Sequence, residues 1–308
     1  MKRKILVIVG PTAVGKSDLA VRLAKKLNGE IISADSRQVY CGLNIGTGKI
    51  TKKEMAGVPH YLLDVANPKK QFSAADFVRL GREKIAAIFS RGHTPIICGG
   101  TGFYISALLG EIELAPAPPN PKLRAQLAKK SASELFEMLK KLDPARAEKI
   151  DHHNPRRLIR AIEVALSKEK EIKVEPFFRS KVQPFKVIKI GLTLPPEKLK
   201  KKIRTRLLAR LKQGMIAEAE KLHQQGLSWK RMNELGLEYR YLAKYLKNNP
   251  PTDGSKEEMI EKLFTEIWRY AKRQMTWFKK DKNIHWFLPN NFKKIWTLTQ
   301  GQGPSSNR

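Results

Sequence analysis

The sequence predicts an α/β fold, a parallel-sheet core interrupted by a helical insertion, on three observations. In the first 113 of 308 residues, short β-rich runs alternate with helical patterns, the signature of βαβ units. The proline cluster from Ala115 to Pro121 then breaks the alternation, because its rings can continue neither a helix nor a central strand. After a helical stretch, the run from Phe185 to Leu194 reads again as a strand and returns the chain to the sheet. Residues 1–113 and 183–308 are therefore expected to form the core, and 114–182 the insertion.

The opening MKRKILVIV imitates a signal peptide, but its apolar run from Ile5 to Val9 is shorter than an h-region and no cleavage site follows, so it reads as a buried strand. A helix from about Lys16 to Leu27, a strand Glu30 to Ala34, a helix across Ala74 to Phe89 and a strand Pro95 to Cys98 come next. In the insertion, Asn154 is a good N-cap ahead of Pro155, opening a helix to Leu166 with Leu158, Ile162 and Leu166 facing inward. Two long helices follow the returning strand. The first starts after Pro195 and Pro196 and carries Leu199, Ile203, Leu207, Leu211 and Met215 on one side; the second carries Ile260, Leu263, Phe264, Ile267, Ala271 and Phe278. The tail GQGPSSNR is expected to be disordered, and no internal repeat is visible.

Lys and Arg number 60 against 29 Asp and Glu, a net charge of +31, while 41% apolar residues exclude a disordered tail. The excess is uneven, +8 in the first 113 residues and +23 in the rest. It points to a polyanionic partner, nucleic acid or an anionic membrane surface, between which charge alone does not choose. No stretch approaches the ~18 apolar residues of a membrane span. Cys41 and Cys98 lie far apart, which excludes a disulfide framework and a paired-thiol zinc site and suggests a reducing cytoplasm. His152 and His153 have no cysteine or carboxylate at metal-ligand spacing.

Gly10-Pro11-Thr12-Ala13-Val14-Gly15-Lys16-Ser17 is a full phosphate-binding loop set between a strand and a helix, so the core is expected to be P-loop NTPase-like. Its glycines let backbone amides curl around phosphate oxygens, Lys16 supplies a point charge, and Ser17 can hold Mg²⁺. The next strand ends in Asp35-Ser36-Arg37-Gln38-Val39-Tyr40, followed by Gly46-Thr47-Gly48-Lys49, so a carboxylate arrives at the end where α/β sites sit, unless it is a solvated turn. Gly99-Gly100-Thr101-Gly102-Phe103-Tyr104 is either a second anion-binding turn or a plain tight turn. The apolar run Ile96-Ile97-Cys98 ends in glycine where a nucleotide hydrolase would carry a magnesium-binding acid. Arg156, Arg157 and Arg160 fall on one helical face as a phosphate-contacting stripe or a solvated one. Near the carboxyl end, Lys272, Arg273, Trp277, Phe278, Lys279 and Lys280 interleave charge with rings, which suits RNA, although such rings more often pack in a core.

In one order from Gly10 to about Trp286, the segments GPTAVGKS, DSRQVY with IGTGK, PHYLLD, FSAADF, GGTGFY, NPRRLIRAIEV and KRQMTWF resemble those of the tRNA dimethylallyltransferases, also called tRNA isopentenyltransferases. The likeness is to the bacterial type without a zinc finger. It implies transfer of a dimethylallyl group from dimethylallyl diphosphate to N6 of the adenosine just 3′ of the anticodon (adenosine-37) of tRNA, with Mg²⁺. It also implies roles: the loop residues Gly10 to Ser17 bind the diphosphate, Asp35 is the general base, and Thr101 bonds the diphosphate or orients the amine. Arg206 faces the diphosphate, while Lys202 stands where members usually carry a second arginine, keeping the charge but losing the bidentate fork. The resemblance places tRNA contacts at Asp35, Ser36, Arg37, Gln38, Arg124, Arg156, Arg157 and Arg160, and makes Gly236 to Tyr241 a longer version of a segment near the RNA. It implies a cytoplasmic monomer with no membrane and no protein partner.

The chemistry agrees with those residue types. A prenyl diphosphate ionises by losing pyrophosphate, so a phosphate cradle becomes a leaving-group binder. An exocyclic amine must shed a proton to a positioned carboxylate, and the adenine must leave its stack. Two rivals remain at the level of sequence. A P-loop small-molecule kinase using ATP would need an arginine-rich lid and a magnesium-binding acid; an RNA-binding module without catalysis would need neither Asp35 nor Thr101.

Overall fold

A computed structural model describes residues 3–115, 117, 119–167, 185–247 and 253–301. Of the tail expected to be disordered, Gly301 is described in a turn and residues 302–308 lie outside the described residues. The chain divides into two compact units, Met1–Ile112 with Lys181–Arg308, and Glu113–Ser180.

The first unit holds β1 (Arg3–Val9), β2 (Gly29–Ser33), β3 (His60–Tyr61), β4 (Thr94–Cys98), β5 (Phe185–Leu192) and β6 (Ile284–Phe287). Every pairing is parallel, in the order β3-β2-β4-β1-β5-β6. Ile5 to Val9 of β1 are all buried, as a strand covered on both faces requires, which is why that segment reads as an unbroken apolar run. Four helices accompany the first half of the sheet: α1 (Lys16–Leu27), α2 (Lys52–Met55), α3 (Ala74–Ser90) and α4 (Gly102–Leu108). The start of α3 is set by a capping box, in which Ser73 Oγ accepts the Asp76 amide at 3.1 Å and Asp76 Oδ2 accepts the Ser73 amide at 2.9 Å.

The second unit contains α5 (Pro121–Leu127), α6 (Ala132–Leu142), α7 (Pro144–Ala147) and α8 (Pro155–Leu166). Its own small core gathers Leu127, Leu135, Leu139, Leu158, Ala161 and Ile162. Asn154 caps α8 by accepting the Arg157 amide at 3.3 Å. Leu166, expected to face inward, is instead 47% exposed in the last turn.

Six helices complete the first unit: α9 (Pro196–Lys212), α10 (Met215–Gln224), α11 (Trp229–Leu235), α12 (Leu237–Lys247), α13 (Asp253–Phe278) and α14 (Phe292–Thr299). The single helix expected from Leu199 to Met215 is two, because Gly214 adopts φ 96 and Met215 begins α10. Strand β5 stops at Leu192, two residues short of the expected end, as Leu194 leads into Pro195. Strands β3 and β6 were not legible: they are the two sheet edges, two and four residues long, too short to show a period.

Candidate active site

The phosphate loop leaves β1 and enters α1 along a path that only glycine allows at its two ends. Gly10 has φ 142, and a Cβ there would lie 2.5 Å from the Leu192 carbonyl oxygen; Gly15 has φ 105. Between them Pro11 and Val14 are buried, Thr12 and Ala13 half-buried. Lys16 Nζ donates to the carbonyls of Gly10 at 3.0 Å and Pro11 at 2.8 Å, folding the ammonium over the loop. Burial brings the Lys16 pKa down to about 8, with the nearby Arg206 charge acting the same way and Asp35 opposing it. The neighbouring Cys98 thiol is pushed up to about 12 by burial, so it stays protonated beside the loop.

The carboxylate turn follows β2. Asp35 Oδ1 accepts the amides of Arg37 at 2.8 Å and Gln38 at 3.3 Å, an Asx turn that fixes the side chain. Oδ2 accepts no hydrogen bond among the described residues. Thr101 Oγ1 accepts the Ser36 amide at 3.1 Å, joining the second glycine turn to the Asp35 turn, and also shares a hydrogen bond with Tyr270. Burial pushes the Tyr270 phenol well up, keeping it neutral.

The loop after the Asp35 turn is held by the α9, α10 and α12 helices. Arg206 Nη2 donates to the Gly48 carbonyl at 2.9 Å, and Arg210 Nη1 to Gly46 at 2.6 Å and Glu238 at 3.0 Å. Glu218 accepts three consecutive amides, Asn44, Ile45 and Gly46, at 3.0, 2.8 and 2.9 Å, and Tyr239 donates to it at 2.7 Å. Gln38 Nε2 reaches the carbonyls of Thr47 and Gly48 at 3.4 and 3.3 Å. Lys202 is exposed one turn before Arg206. Beside the Asp35 turn lies a cavity of about 260 Å³ whose walls include Ser36, Arg37, Arg240, Tyr241, Tyr270 and Arg273. It gives the Gly236 to Tyr241 segment a place next to Ser36 and Arg37.

Lys16, Asp35, Thr101 and Arg206 are thus gathered in the first unit, while Arg124, Arg156, Arg157 and Arg160 belong to the second. The expected arginine stripe comes apart there. Glu163, 3% exposed, takes Arg124 through Nε at 2.8 Å and Nη2 at 2.7 Å and Arg160 through Nη1 at 2.5 Å. Arg160 Nη2 also donates to the carbonyls of Ala115 at 3.3 Å and Ala117 at 2.8 Å. Those two guanidiniums are occupied by a buried carboxylate, whereas Arg156 and Arg157 are exposed, the latter only 3.8 Å from Asp151. The rings near the carboxyl end also divide: Phe278 is buried, Trp277 is 39% exposed and set edge-on to Phe103. His152 and His153 are exposed, and no cluster of metal-ligating side chains exists among the described residues.

Gln274, inside the segment KRQMTWF, is the residue to which the sequence assigned no role. It is buried at 6% exposure; Oε1 accepts the Thr12 amide of the phosphate loop at 2.8 Å, and Nε2 donates to the Gly100 carbonyl at 2.9 Å. The signal was a polar side chain in the apolar stripe Ile267, Ala271, Gln274 and Phe278, where an uncompensated amide would be costly.

A phosphate loop facing a carboxylate turn, on a parallel sheet whose β4 ends in Cys98 and Gly99 rather than an acid, defines a P-loop protein built for group transfer. The family model described as IPP transferase matches residues 38–281. The chain is 43% identical to tRNA dimethylallyltransferase 2 of Treponema denticola, over 93% of this chain and 96% of that protein. It is 42% identical to the tRNA dimethylallyltransferase of Anoxybacillus flavithermus, over 93% and 91%. Among solved structures, the tRNA isopentenylpyrophosphate transferase of Bacillus halodurans matches with a TM-score of 0.71 at 36% identity, covering 98% of this chain and 97% of that one. The chain belongs to the IPP transferase family, which displaces the kinase reading and that of an RNA-binding module without catalysis.

Proposed function

We propose that this protein transfers a dimethylallyl group from dimethylallyl diphosphate to N6 of adenosine-37 of tRNA, releasing diphosphate. The observation that carries the reading is the pairing of Lys16 with Asp35: a charge sink for a leaving diphosphate and a carboxylate with an unengaged oxygen interact across one site. The allylic carbon loses its C–O bond, the electron pair leaving with the diphosphate, and gains a C–N bond from the amine. Lys16 swings from the Gly10 and Pro11 carbonyls to the diphosphate, and loop amides from Val14 onward complete the cradle. Asp35 Oδ2 accepts the N6 proton while Oδ1 keeps the turn in place. Thr101, fixed by Ser36 and Tyr270, orients the meeting of donor and amine. Arg206 adds positive charge near Lys16.

Magnesium fits the donor set in a limited way. Ser17 is exposed at the start of α1 and offers one hard oxygen, so the ion would be held by that hydroxyl, the diphosphate and water. When bound it would offset charge on the departing diphosphate. The partner is tRNA, drawn by the net charge of +31, and a cytoplasmic monomer is the form we propose. No helix among the described residues is long and apolar enough to cross a membrane. Incubating the protein with labelled dimethylallyl diphosphate and unmodified tRNA tests the proposal. Label in the tRNA supports it; label remaining in the donor, with the protein folded, refutes it.

A further inference from the structure

We infer that Gln274 is a positioning residue that sets the distance between the leaving-group cradle and the proton acceptor. The inference rests on the transfer reaction proposed above. Its basis is a path of hydrogen bonds, joined by peptide bonds, that runs through one side chain. The Thr12 amide, at the head of the phosphate loop, donates to Gln274 Oε1 at 2.8 Å, and Gln274 Nε2 donates to the Gly100 carbonyl at 2.9 Å. Thr101 follows at once, its Oγ1 accepting the Ser36 amide at 3.1 Å, and Ser36 adjoins Asp35. Gln274 is the side-chain link between the diphosphate side and the amine side, added to the backbone ladder that β4 makes with β1 and β2.

Three features make the link specific to an amide. One terminus must accept and the other donate, and glutamine does both without charge at every pH, whereas a glutamate of the same length does so only when protonated. The fit is close: a Cβ on Gly100 would lie 2.1 Å from Gln274 Nε2, so the glycine is what lets the amide reach the backbone. The residue sits on α13 opposite the turn, and one helical turn further on Trp277 lies over Gly102, where a Cβ would come within 2.2 Å of the indole. The same helix face therefore grips the glycine turn at two points, one polar and one aromatic.

The bridge has a consequence for the cradle. The Thr12 amide is already engaged by Gln274, so the diphosphate is held by the later amides of the loop and by Lys16, and the phosphate position is fixed relative to α13. A shift of about 1 Å in such a geometry costs on the order of 100-fold in rate.

The test uses the full-length protein with Gln274→Ala and Gln274→Glu, measuring kcat and KM for dimethylallyl diphosphate and for tRNA, with Tm recorded for each. Gln274→Ala is expected to lower kcat about 10- to 100-fold with KM for tRNA nearly unchanged. Gln274→Glu supplies the readout that a purely structural role would not move. Protonated, its acid group donates to Gly100 as the amide does; ionised, it cannot, and it also attracts Lys16, whose Nζ stands 3.8 Å from the same Cβ position. The ratio of Gln274→Glu to parent activity should therefore rise as pH falls, with tRNA binding constant. Parent-like kcat in Gln274→Ala would overturn the inference, and so would a Gln274→Glu ratio that does not change with pH while the protein stays folded. If the parent itself fails to label tRNA, the transfer reading fails, an outcome separate from either.

Discussion

Removing Arg160 and removing Arg156 with Arg157 should have opposite consequences, although all three lie on α8. Arg160 contributes one bond to Glu163 at 2.5 Å and two to the Ala115 and Ala117 carbonyls at 3.3 and 2.8 Å. Glu163 would still keep Arg124 and the Asn120 amide at 2.6 Å, so its charge is not stranded. With charge-assisted bonds contributing ~1.5 to 3 kcal/mol each and partial compensation by water, Arg160→Ala should cost about 2 kcal/mol. Arg124→Ala removes the bidentate partner of the same carboxylate and should cost more, ~3 to 5 kcal/mol. Arg156 and Arg157 are exposed, so replacing both with Ala should leave stability within ~0.5 kcal/mol. If each meets one phosphate, that double variant flattens the log–log salt dependence of tRNA affinity by up to about 1.8. Urea unfolding and tRNA binding by fluorescence anisotropy across a KCl series measure the two quantities. An Arg160→Ala protein with parent stability but a lost share of the salt slope would refute the division, as would a double variant with the parent's slope.

Lys16→Ala should leave the fold intact and reduce turnover by ~2 to 4 orders of magnitude at saturating donor, read by single-turnover transfer. Because the Lys16 pKa in the free protein is lowered to about 8, its contribution to donor affinity should be complete below pH 8 and weaken above it, by at most about tenfold per pH unit; calorimetry in two buffers should show proton uptake on binding above pH 8. Asp35→Asn preserves the Asx turn through its amide oxygen, so tRNA binding should persist while transfer falls ~100-fold or more; a near-parent rate would assign the base elsewhere. Glu30, 2% exposed at the start of β2 and bonded to Arg91, Tyr61 and His93, has its carboxyl held down to about 2. A depressed carboxyl stabilises the fold above its ordinary value of 4.5 and loses that contribution as pH falls toward 2. Allowing for solvent around the half-exposed Arg91, Glu30→Gln should cost ~2 kcal/mol at pH 7 and progressively less by pH 3, measured by urea unfolding.

What the sequence disclosed is what local chemistry encodes. The phosphate loop is contiguous and its glycines mark positive φ, so Gly10 to Ser17 and the strand–helix context around them were legible. Helical spacing likewise put Arg156, Arg157 and Arg160 on adjacent turns. Spacing gives a direction and not a partner, however, and Glu163 became a buried anchor only because Arg124 and the Asn120 amide, some forty residues earlier, converge on it. Gln274 stayed hidden for the same reason: its partners Thr12 and Gly100 lie 262 and 174 residues away. The order β3-β2-β4-β1-β5-β6 depends on crossovers that no local window contains. At Gly214 the fault was one of weighting, since a glycine in a helical pattern ends the helix when φ turns positive, and the apolar positions on either side continued in phase.

Whether Lys16 and Asp35 serve one prenyl transfer to tRNA is tested most directly by nucleoside analysis of tRNA after reaction with the parent, Lys16→Ala and Asp35→Asn proteins. The parent should convert adenosine-37 to its N6-dimethylallyl form, with one diphosphate released per modified nucleoside, and in the time the parent needs for full conversion both variants should leave all but about 1% to a few per cent as adenosine. Modification at another atom or nucleoside, or full conversion by either variant, would contradict the account.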